Sequence, residues 1–403
     1  MSQATENLCA SRASHMRLVG VISAAHFVSH YYILILAPLL PFVRDAYGVS
    51  YTELGLALAA FNIVTGTLQT PAGFLVNWLG ARVILIVGLL IGAVAFVIVG
   101  LVDSFWVLVA MFALAGVGNT VYHPADYALL SHHVPTDRIG QAFSIHAFAG
   151  MMGSAFAPAS LLMMQSWWGW RGAFIGAGLF GFAVAAILLM VRDNAPVQAT
   201  APAPRAGMEK SAEGWRLLLS TPILMNLFFF VLIAMINGGM FNYSVVALGE
   251  LYDTPAAVAN SALSGLLLLS AVGVLVGGVA ATRVSRHAYV AALGLAAMAL
   301  TATLIAQFDL GTVMLVLVMT AFGFSYGVIM PSRDMIVRDI TPPGSFGKVF
   351  GFVTTGFNIG GIVSPLIFGA IMDHGSPRFV FVAVAAFALL SVITVVSLPR
   401  KTA

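Results

Sequence analysis

Apolar residues run along this chain in long stretches, separated by short polar segments rich in Gly, Pro and charged residues. Each stretch is close to the roughly 20 residues that a helix needs to cross a bilayer, so the pattern predicts membrane-spanning helices. Twelve such helices are predicted, over residues 17–43, 52–76, 83–102, 105–131, 140–165, 171–191, 221–247, 257–281, 288–307, 312–338, 348–372 and 378–398.

The composition leads to the same class of protein. Of the 403 residues, 60% are hydrophobic and only 8% are charged, and the mean hydropathy is +0.99. Such a chain has too few polar side chains to cover a water-exposed surface. The sequence therefore predicts an all-α integral membrane protein whose surroundings are the lipid bilayer.

The basic residues predict the orientation of the chain. With the amino terminus inside the cell, fourteen of the eighteen Lys and Arg residues lie on or near the cytoplasmic side, as the positive-inside rule requires. Both termini are therefore expected in the cytoplasm, and the net charge of +3 needs no nucleic-acid partner. Short loops and the lack of a signal peptide favour a bacterial inner membrane.

A polar segment rich in Pro and Ala divides the chain near its middle. It predicts a cytoplasmic linker over residues 192–218, between two six-helix bundles at 17–191 and 219–398. Short cytoplasmic tails are expected at 1–16 and 399–403. The sequence leaves open whether the linker is only a tether or also has a regulatory role.

The two bundles are predicted to be copies of one unit. Adding 207 to a residue number in helices 4 to 6 gives a matching residue in helices 10 to 12; Gly116 and Gly323, Pro124 and Pro331 are two such pairs. Because the backbone roles of Gly and Pro are hard to replace, their coincidence indicates an internal repeat. The expected fold is two pseudo-symmetric six-helix bundles.

Ionisable side chains inside the apolar helices are the candidates for function. A charge at the centre of a bilayer costs roughly 2.5–3.5 kcal/mol, so such groups usually face a bundle interior or a water-filled path. Seven of them fall on only four predicted helices: His26, His30, His123, Asp126, His146, Arg333 and Asp334.

His26 and His30 are four residues apart and share one helix face, followed directly by Tyr31. They are interpreted as a proton-coupling or substrate-binding pair, because imidazole changes its charge near neutral pH. A neutral, structural role is the main alternative. A metal site would need a third ligand, which the surrounding sequence does not offer.

His123 precedes Pro124, which removes a backbone donor and predicts a bend in helix 4. The bend would direct His123 and Asp126 towards one face, where they could act as a proton relay; alternatively, the imidazole only satisfies the freed carbonyl. His146 in helix 5 is either a packing residue or part of the same pathway.

Arg333 and Asp334 are consecutive, so they point about 100° apart and each is expected to find a partner elsewhere. Three interpretations remain open. The two charges form a cytoplasmic gate that opens and closes with the transport cycle, Arg333 binds an anionic substrate, or both belong to a structural ion pair.

Twelve helices in two related halves around a cytoplasmic linker resemble the major facilitator superfamily, over essentially the whole chain. Gly73, Gly80 and Arg82 match the superfamily's signature between helices 2 and 3, with Asn77 where an acid is usual. The resemblance implies that these four residues belong to a cytoplasmic gate.

Two further motifs are similar to those of exporters in this superfamily. Gly150, Gly153 and Pro158 resemble the Gly and Pro motif of antiporters. Residues 116–124 are similar to the helix 4 signature of fosmidomycin-resistance-type exporters, in which two glycines precede an aromatic residue, His and Pro. An acid usually follows that Pro directly, whereas Ala125 intervenes here.

In this superfamily, helices 1, 4, 7 and 10 line a central cavity, and helices 3, 6, 9 and 12 face lipid. Predicted helix 3 and most of helix 6 contain no polar side chain, whereas the cavity helices contain several. The resemblance therefore adds Asn119, Asn237, Asn242, Tyr326 and, on helix 11, Asn358 to the candidate substrate or proton pathway.

Secondary transport is the function expected from these patterns. The sequence contains no Walker-type phosphate loop and no catalytic motif, which argues against ATP use and against an enzyme. The resemblance implies proton-coupled export of a small organic solute by alternating access, by a monomer and without a cofactor or metal. Import of an organic anion bound by Arg333 is the alternative, and a transporter-like membrane receptor is a remote one.

Overall fold

The computed structural model describes residues 3–135, 138–190, 216–284, 286–342 and 346–397. Helices account for the regular structure of these residues. They are α1 (Gln3–Ile33), α2 (Leu40–Tyr47), α3 (Tyr51–Leu79), α4 (Ala81–Leu101), α5 (Phe105–Asn119), α6 (Tyr122–His133), α7 (Ile139–Met190), α8 (Thr221–Asn237), α9 (Ser244–Tyr252), α10 (Ala256–Arg283), α11 (His287–Gln307), α12 (Gly311–Ile340), α13 (Phe346–Asp373) and α14 (Arg378–Val396).

Ten segments of the described chain are long and apolar enough to cross a membrane. One of them, Gln141–Met190, is 50 residues long and covers the fifth and sixth predicted spans. It is broken at Gly169, whose φ of 70° is readily adopted only by glycine. Since α3 covers the second predicted span, the observed helices are consistent with the twelve that the sequence predicts.

The helices form two compact units. The first unit contains the described residues of 1–35 and 63–201, and the second contains those of 36–62 and 202–403. The predicted linker falls mainly on residues 191–215, outside the described residues, as does the tail at 399–403. The bundle boundaries given above therefore stay predictions.

Close backbone contacts hold the first unit together. α1 and α4 both pack along α7. A Cβ atom at Gly153 would lie 2.1 Å from the carbonyl oxygen of Phe27, so α7 approaches α1 this closely only because residue 153 is glycine. The helix 5 motif noted above thus fixes the packing of α7 against α1.

The predicted helix 4 is interrupted just before Pro124, where the bend is predicted. α5 ends at Asn119 and α6 begins at Tyr122. Pro124 lies at the start of α6 and has no N–H group to donate to the carbonyl of Thr120, which is where the helix is interrupted. The break separates the apolar α5 from α6, which carries His123 and Asp126.

In the second unit, α10 packs on α12, α8 on α13, and α11 on both α12 and α14. The predicted helix 7 differs from a regular helix, because α8 and α9 are joined by a π-helical segment, Gly238–Tyr243. π-helical turns occur frequently at functional sites. Asn242 lies in this segment.

The start of α3 belongs to the second unit. The end of α13, in the same unit, caps it. The carboxylate of Asp373 accepts hydrogen bonds from the backbone N–H groups of Tyr51 (2.7 Å) and Thr52 (2.8 Å). A negative charge at the first turn of a helix also interacts favourably with the helix dipole. These hydrogen bonds fix the end of α13 to the start of α3, although the two segments are far apart in sequence.

Candidate functional site

Three buried ionisable side chains meet inside the first unit. His26 comes from α1, Asp126 from α6 and His146 from α7. Asp126 Oδ2 lies 3.5 Å from Nδ1 of His26 and 3.6 Å from Nε2 of His146. The exposed fraction of the side chain is 0% for Asp126, 5% for His26 and 2% for His146. We call these three residues the histidine–aspartate cluster.

His26 is the centre of a larger group of imidazole rings. Its ring stacks on that of His146 with 3.9 Å between centroids. The rings of His30 and His123 lie edge-on to it, at 4.7 and 5.3 Å. The structure therefore brings together all five ionisable residues that the sequence places in helices 1, 4 and 5.

The polar atoms at the centre of the cluster have no hydrogen-bond partner. This holds for Nδ1 of His26, both carboxylate oxygens of Asp126 and both ring nitrogens of His146. Buried polar atoms are almost always hydrogen-bonded, because an unpaired one costs about 1–3 kcal/mol and a charged one more. A group of five such atoms is suited to binding a cation, either a proton or a metal ion.

Because Gly150 has no side chain, the rings of His26 and His30 can lie directly against its backbone. A Cβ atom at this position would lie 2.7 Å from Nε2 of His26 and 2.9 Å from Cδ2 of His30. Along α1, the hydroxyl of Ser29 donates to the backbone carbonyl oxygen of His26 at 2.8 Å. The antiporter-like motif had drawn attention to Gly150, but its contact with the imidazoles could not be predicted from its spacing.

Two serines on α7 support the neighbouring residues of α1, and sequence reasoning missed both. Nδ1 of His30 lies 3.3 Å from Oγ of Ser154, and the hydroxyl oxygens of Tyr31 and Ser160 lie 3.0 Å apart. Their only signal in the sequence is a hydroxyl group within an apolar helix, which is common because such groups also bond to the backbone of their own helix.

Of the two interpretations of His123 and Asp126, the structure does not show the direct pair. Asp126 is fully buried and contacts His26 and His146, whereas His123 is exposed. His123 lies in the first turn of α6, and one turn later the side chain of Asp126 reaches α1 and α7. Asn119, the last residue of α5, is half-buried beside this break.

Arg333 forms the centre of a polar group in the second unit, and the expectation that it finds its partner elsewhere is wrong. Its Nε and Nη2 atoms lie 2.9 and 2.8 Å from Oδ1 of the adjacent Asp334. The long arginine side chain can bend far enough to reach a neighbour about 100° around the helix. Its guanidinium carbon lies over the rings of Phe230 (4.9 Å) and Phe357 (5.2 Å), and Nη1 is buried without a hydrogen-bond acceptor.

The remaining candidates of the second unit lie on four helical elements. Asn237 at the end of α8 donates to the hydroxyl of Tyr326 on α12 at 3.0 Å. The side-chain oxygen of Asn242 is buried without a partner. Asn358 is half-buried on α13.

The residues of the predicted cytoplasmic gate lie where α3 passes into α4. Gly80 adopts a φ of 89° directly before α4, and Arg82 donates to the carbonyl oxygen of Leu188 at 2.8 Å. Gly73 lies in the last part of α3, with open space where a Cβ would be. The side chain of Asn77 is outside the described part of the chain.

Comparison with known proteins agrees with this fold. Residues 22–255 and 227–403 match the family model of the Major Facilitator Superfamily. In a solved structure, the nucleoside transporter NupG superimposes with a TM-score of 0.80 at 14% identity, covering 96% of this chain and 100% of that one. At this identity the likeness shows the fold alone.

Two curated relatives differ in how much of the chain they match. The fosmidomycin resistance protein of Escherichia coli K12 is 22% identical over 384 residues, which is 94% of this chain and 92% of the relative. The probable sulfoacetate transporter of Cupriavidus necator is 29% identical over 168 residues, which is 41% of this chain and 39% of the relative. The chain thus matches about two fifths of the second relative's length.

Proposed function

Because the chain belongs to the Major Facilitator Superfamily and is a multi-pass membrane transporter rather than an enzyme, we propose that it couples proton movement to the export of a small organic solute. The histidine–aspartate cluster is the observation that carries this proposal. The setting is a bacterial inner membrane with both termini in the cytoplasm, and the monomer is the working unit.

The cluster supports proton coupling because it joins a buried carboxylate to two imidazoles. Asp126 Oδ2 lies within 3.6 Å of a ring nitrogen on each side, so a proton on either imidazole stays next to the carboxylate. Inside a membrane, ionisable groups arranged in this way are typical of proton relays in pumps and transporters. His30 and His123, on the edges of the His26 ring, extend the chain of groups that can receive the proton.

Export is favoured over import by a relative that aligns along nearly the whole chain. The fosmidomycin resistance protein aligns over 94% of it, including both repeats. Resistance by a transporter implies removal of the compound from the cell. In twelve-helix carriers of this kind, transport proceeds by alternating access to one site.

Import of an organic anion is the second candidate, and Arg333 favours it. Its guanidinium packs against two phenyl rings, and Nη1 is buried without an acceptor, so one donor is available for a carboxylate, sulfonate or phosphonate. The partial likeness to a probable sulfoacetate transporter agrees with this class of solute.

The test is solute-driven proton movement in vesicles that contain the purified protein and an internal pH dye. The panel contains small carboxylic acids, phosphonates and cationic drugs. A solute that moves protons with the native chain but not with the His26→Ala variant supports the proposal. His132→Gln is the matched control, because this histidine lies on the same helix as Asp126 but is exposed. Equal flux in the native chain and the His26→Ala variant would exclude the coupling role.

A further inference from the structure

We propose that His26, Asp126 and His146 form a binding site for a divalent transition-metal ion of the Zn²⁺ type. Such a site goes beyond solute transport, and its existence does not depend on which solute the protein carries. The sequence offered no third ligand near His26. The structure supplies two, from α6 and α7, and the candidate ligand atoms of all three residues lie within 4.8 Å of one another.

The distances in the cluster fit a shared ion better than direct hydrogen bonds. Oδ2 of Asp126 lies 3.5 and 3.6 Å from the two ring nitrogens, whereas an N–H···O bond joins atoms about 2.7–3.2 Å apart. Zinc ligands lie about 2.0–2.2 Å from the metal in a tetrahedral site, which separates two ligand atoms by about 3.3–3.6 Å. Both separations from Asp126 Oδ2 fall within this interval, and the ligand atoms of the two imidazoles lie within 4.8 Å of each other.

The donor types select the class of metal. Two imidazoles and one carboxylate suit Zn²⁺, Co²⁺ and Ni²⁺, whereas Ca²⁺ and Mg²⁺ prefer six or more oxygen ligands. Three protein ligands leave a fourth position for a water molecule or for His123, whose ring lies 5.3 Å from that of His26.

The ligands already lie close together and are already without hydrogen-bond partners. The stacked rings of His26 and His146 need only turn about their side-chain bonds for both lone pairs to point at one ion. All three side chains are at most 5% exposed, and Nδ1 of His26, Oδ2 of Asp126 and Nε2 of His146 have no hydrogen-bond partner. A metal ion would satisfy all three atoms at once, and no existing bond would have to break. Gly150 leaves the His26 ring the space that this position requires.

Bound metal is expected to inhibit transport, a consequence that rests on the proposed function. The ion would occupy the lone pairs that a proton would otherwise take up. It would also tie α1, α6 and α7 to one another at a single point.

The test uses the untagged, full-length protein in detergent, with Co²⁺ alone as the probe because tetrahedral Co²⁺ absorbs visible light. We expect one Co²⁺ per chain, with a tetrahedral spectrum that Zn²⁺ abolishes by displacement. His26→Ala and Asp126→Asn should each weaken binding at least tenfold, whereas His132→Gln should bind as the native chain does. Absence of a tetrahedral Co²⁺ spectrum, or equal binding by the His26→Ala variant, would overturn the proposal.

The variant His146→Cys separates coordination from a general loss of structure. A thiolate that binds Co²⁺ adds a sulfur-to-metal charge-transfer band; with Cys9 also replaced by Ser, residue 146 is the only thiol, and the band appears only if it is a ligand. Binding by this variant without the band would also contradict the site. Since neither solute nor a proton gradient is present, failure of the proposed transport function would leave these spectra unchanged.

Discussion

Asp126 is the residue on which the candidate site depends most. Its carboxylate is fully buried, and the same oxygen faces an imidazole of α1 on one side and an imidazole of α7 on the other. No other described carboxylate is buried to this extent inside a predicted span. A side chain of the same shape that cannot take up a proton therefore tests its chemistry directly.

Asp126→Asn is expected to reduce proton-linked solute flux at least tenfold. Asparagine keeps the shape of the side chain but can neither carry the charge nor accept a proton at neutral pH. Flux is measured in vesicles with an imposed pH gradient, and the thermal unfolding midpoint is measured on the same preparation. Native flux in this variant would remove Asp126 from the coupling pathway. A collapse of the unfolding midpoint would identify it as a structural residue instead.

Gly150→Ala is expected to destabilise the first unit by about 1–3 kcal/mol, the usual range for overpacking. The new methyl group would lie within 3 Å of the rings of His26 and His30, which must then shift. The thermal unfolding midpoint reports the loss. Gly20→Ala on α1 is the control, because nothing lies within 4 Å of its new methyl group and the helix propensity of alanine favours it. Equal midpoints for the two variants would contradict this account.

At the scale of elements, the cap between α13 and α3 gives a separate prediction. Asp373→Asn removes the charge that interacts with the start of α3 and weakens the two hydrogen bonds to Tyr51 and Thr52. The cost is expected to be about 0.5–2 kcal/mol, as for other helix caps. It should appear as a lower thermal unfolding midpoint. Asp45→Asn, an exposed carboxylate on α2, should change the midpoint less; an equal shift would show that the cap is not responsible.

Most of the elements could be predicted from the sequence, because the length of an apolar stretch is a local property. The interruption before Pro124 was predictable for the same reason: proline acts on its own helix. The π-helical segment between α8 and α9 was not, since nothing in Gly238–Tyr243 distinguishes it from a regular helical turn.

Contacts within the candidate site were less predictable than the helices. The spacing of His26 and His30 correctly placed them on one face, and their rings are 4.7 Å apart. The partner of Asp126 depends on how three helices pack, which no spacing within one helix determines. The pair of Arg333 and Asp334 was not predictable from helix geometry alone, because the Cα–Cβ bonds point about 100° apart and only the length of the arginine side chain lets the two charges meet.

At the scale of the whole molecule, the orientation in the membrane is a prediction with a simple test. Cys9 is the only cysteine, and the distribution of Lys and Arg places the amino terminus in the cytoplasm. A membrane-impermeant maleimide should therefore label inside-out vesicles and leave intact cells unlabelled, and Cys9→Ser should abolish the signal. Labelling of intact cells would reverse the predicted topology.

His26 and the four ionisable residues around it all belong to the first unit, whereas Arg333, Tyr326 and Asn237 belong to the second. If the repeat arose by gene duplication, the two copies have since diverged: one holds the groups proposed for energy coupling, the other those proposed for solute recognition. Mutation of the second copy can then change the solute while the energy source is retained. Among descendants of one ancestral carrier, His26 and Asp126 should be retained while the transported solute changes, whether that solute is a nutrient or a toxin.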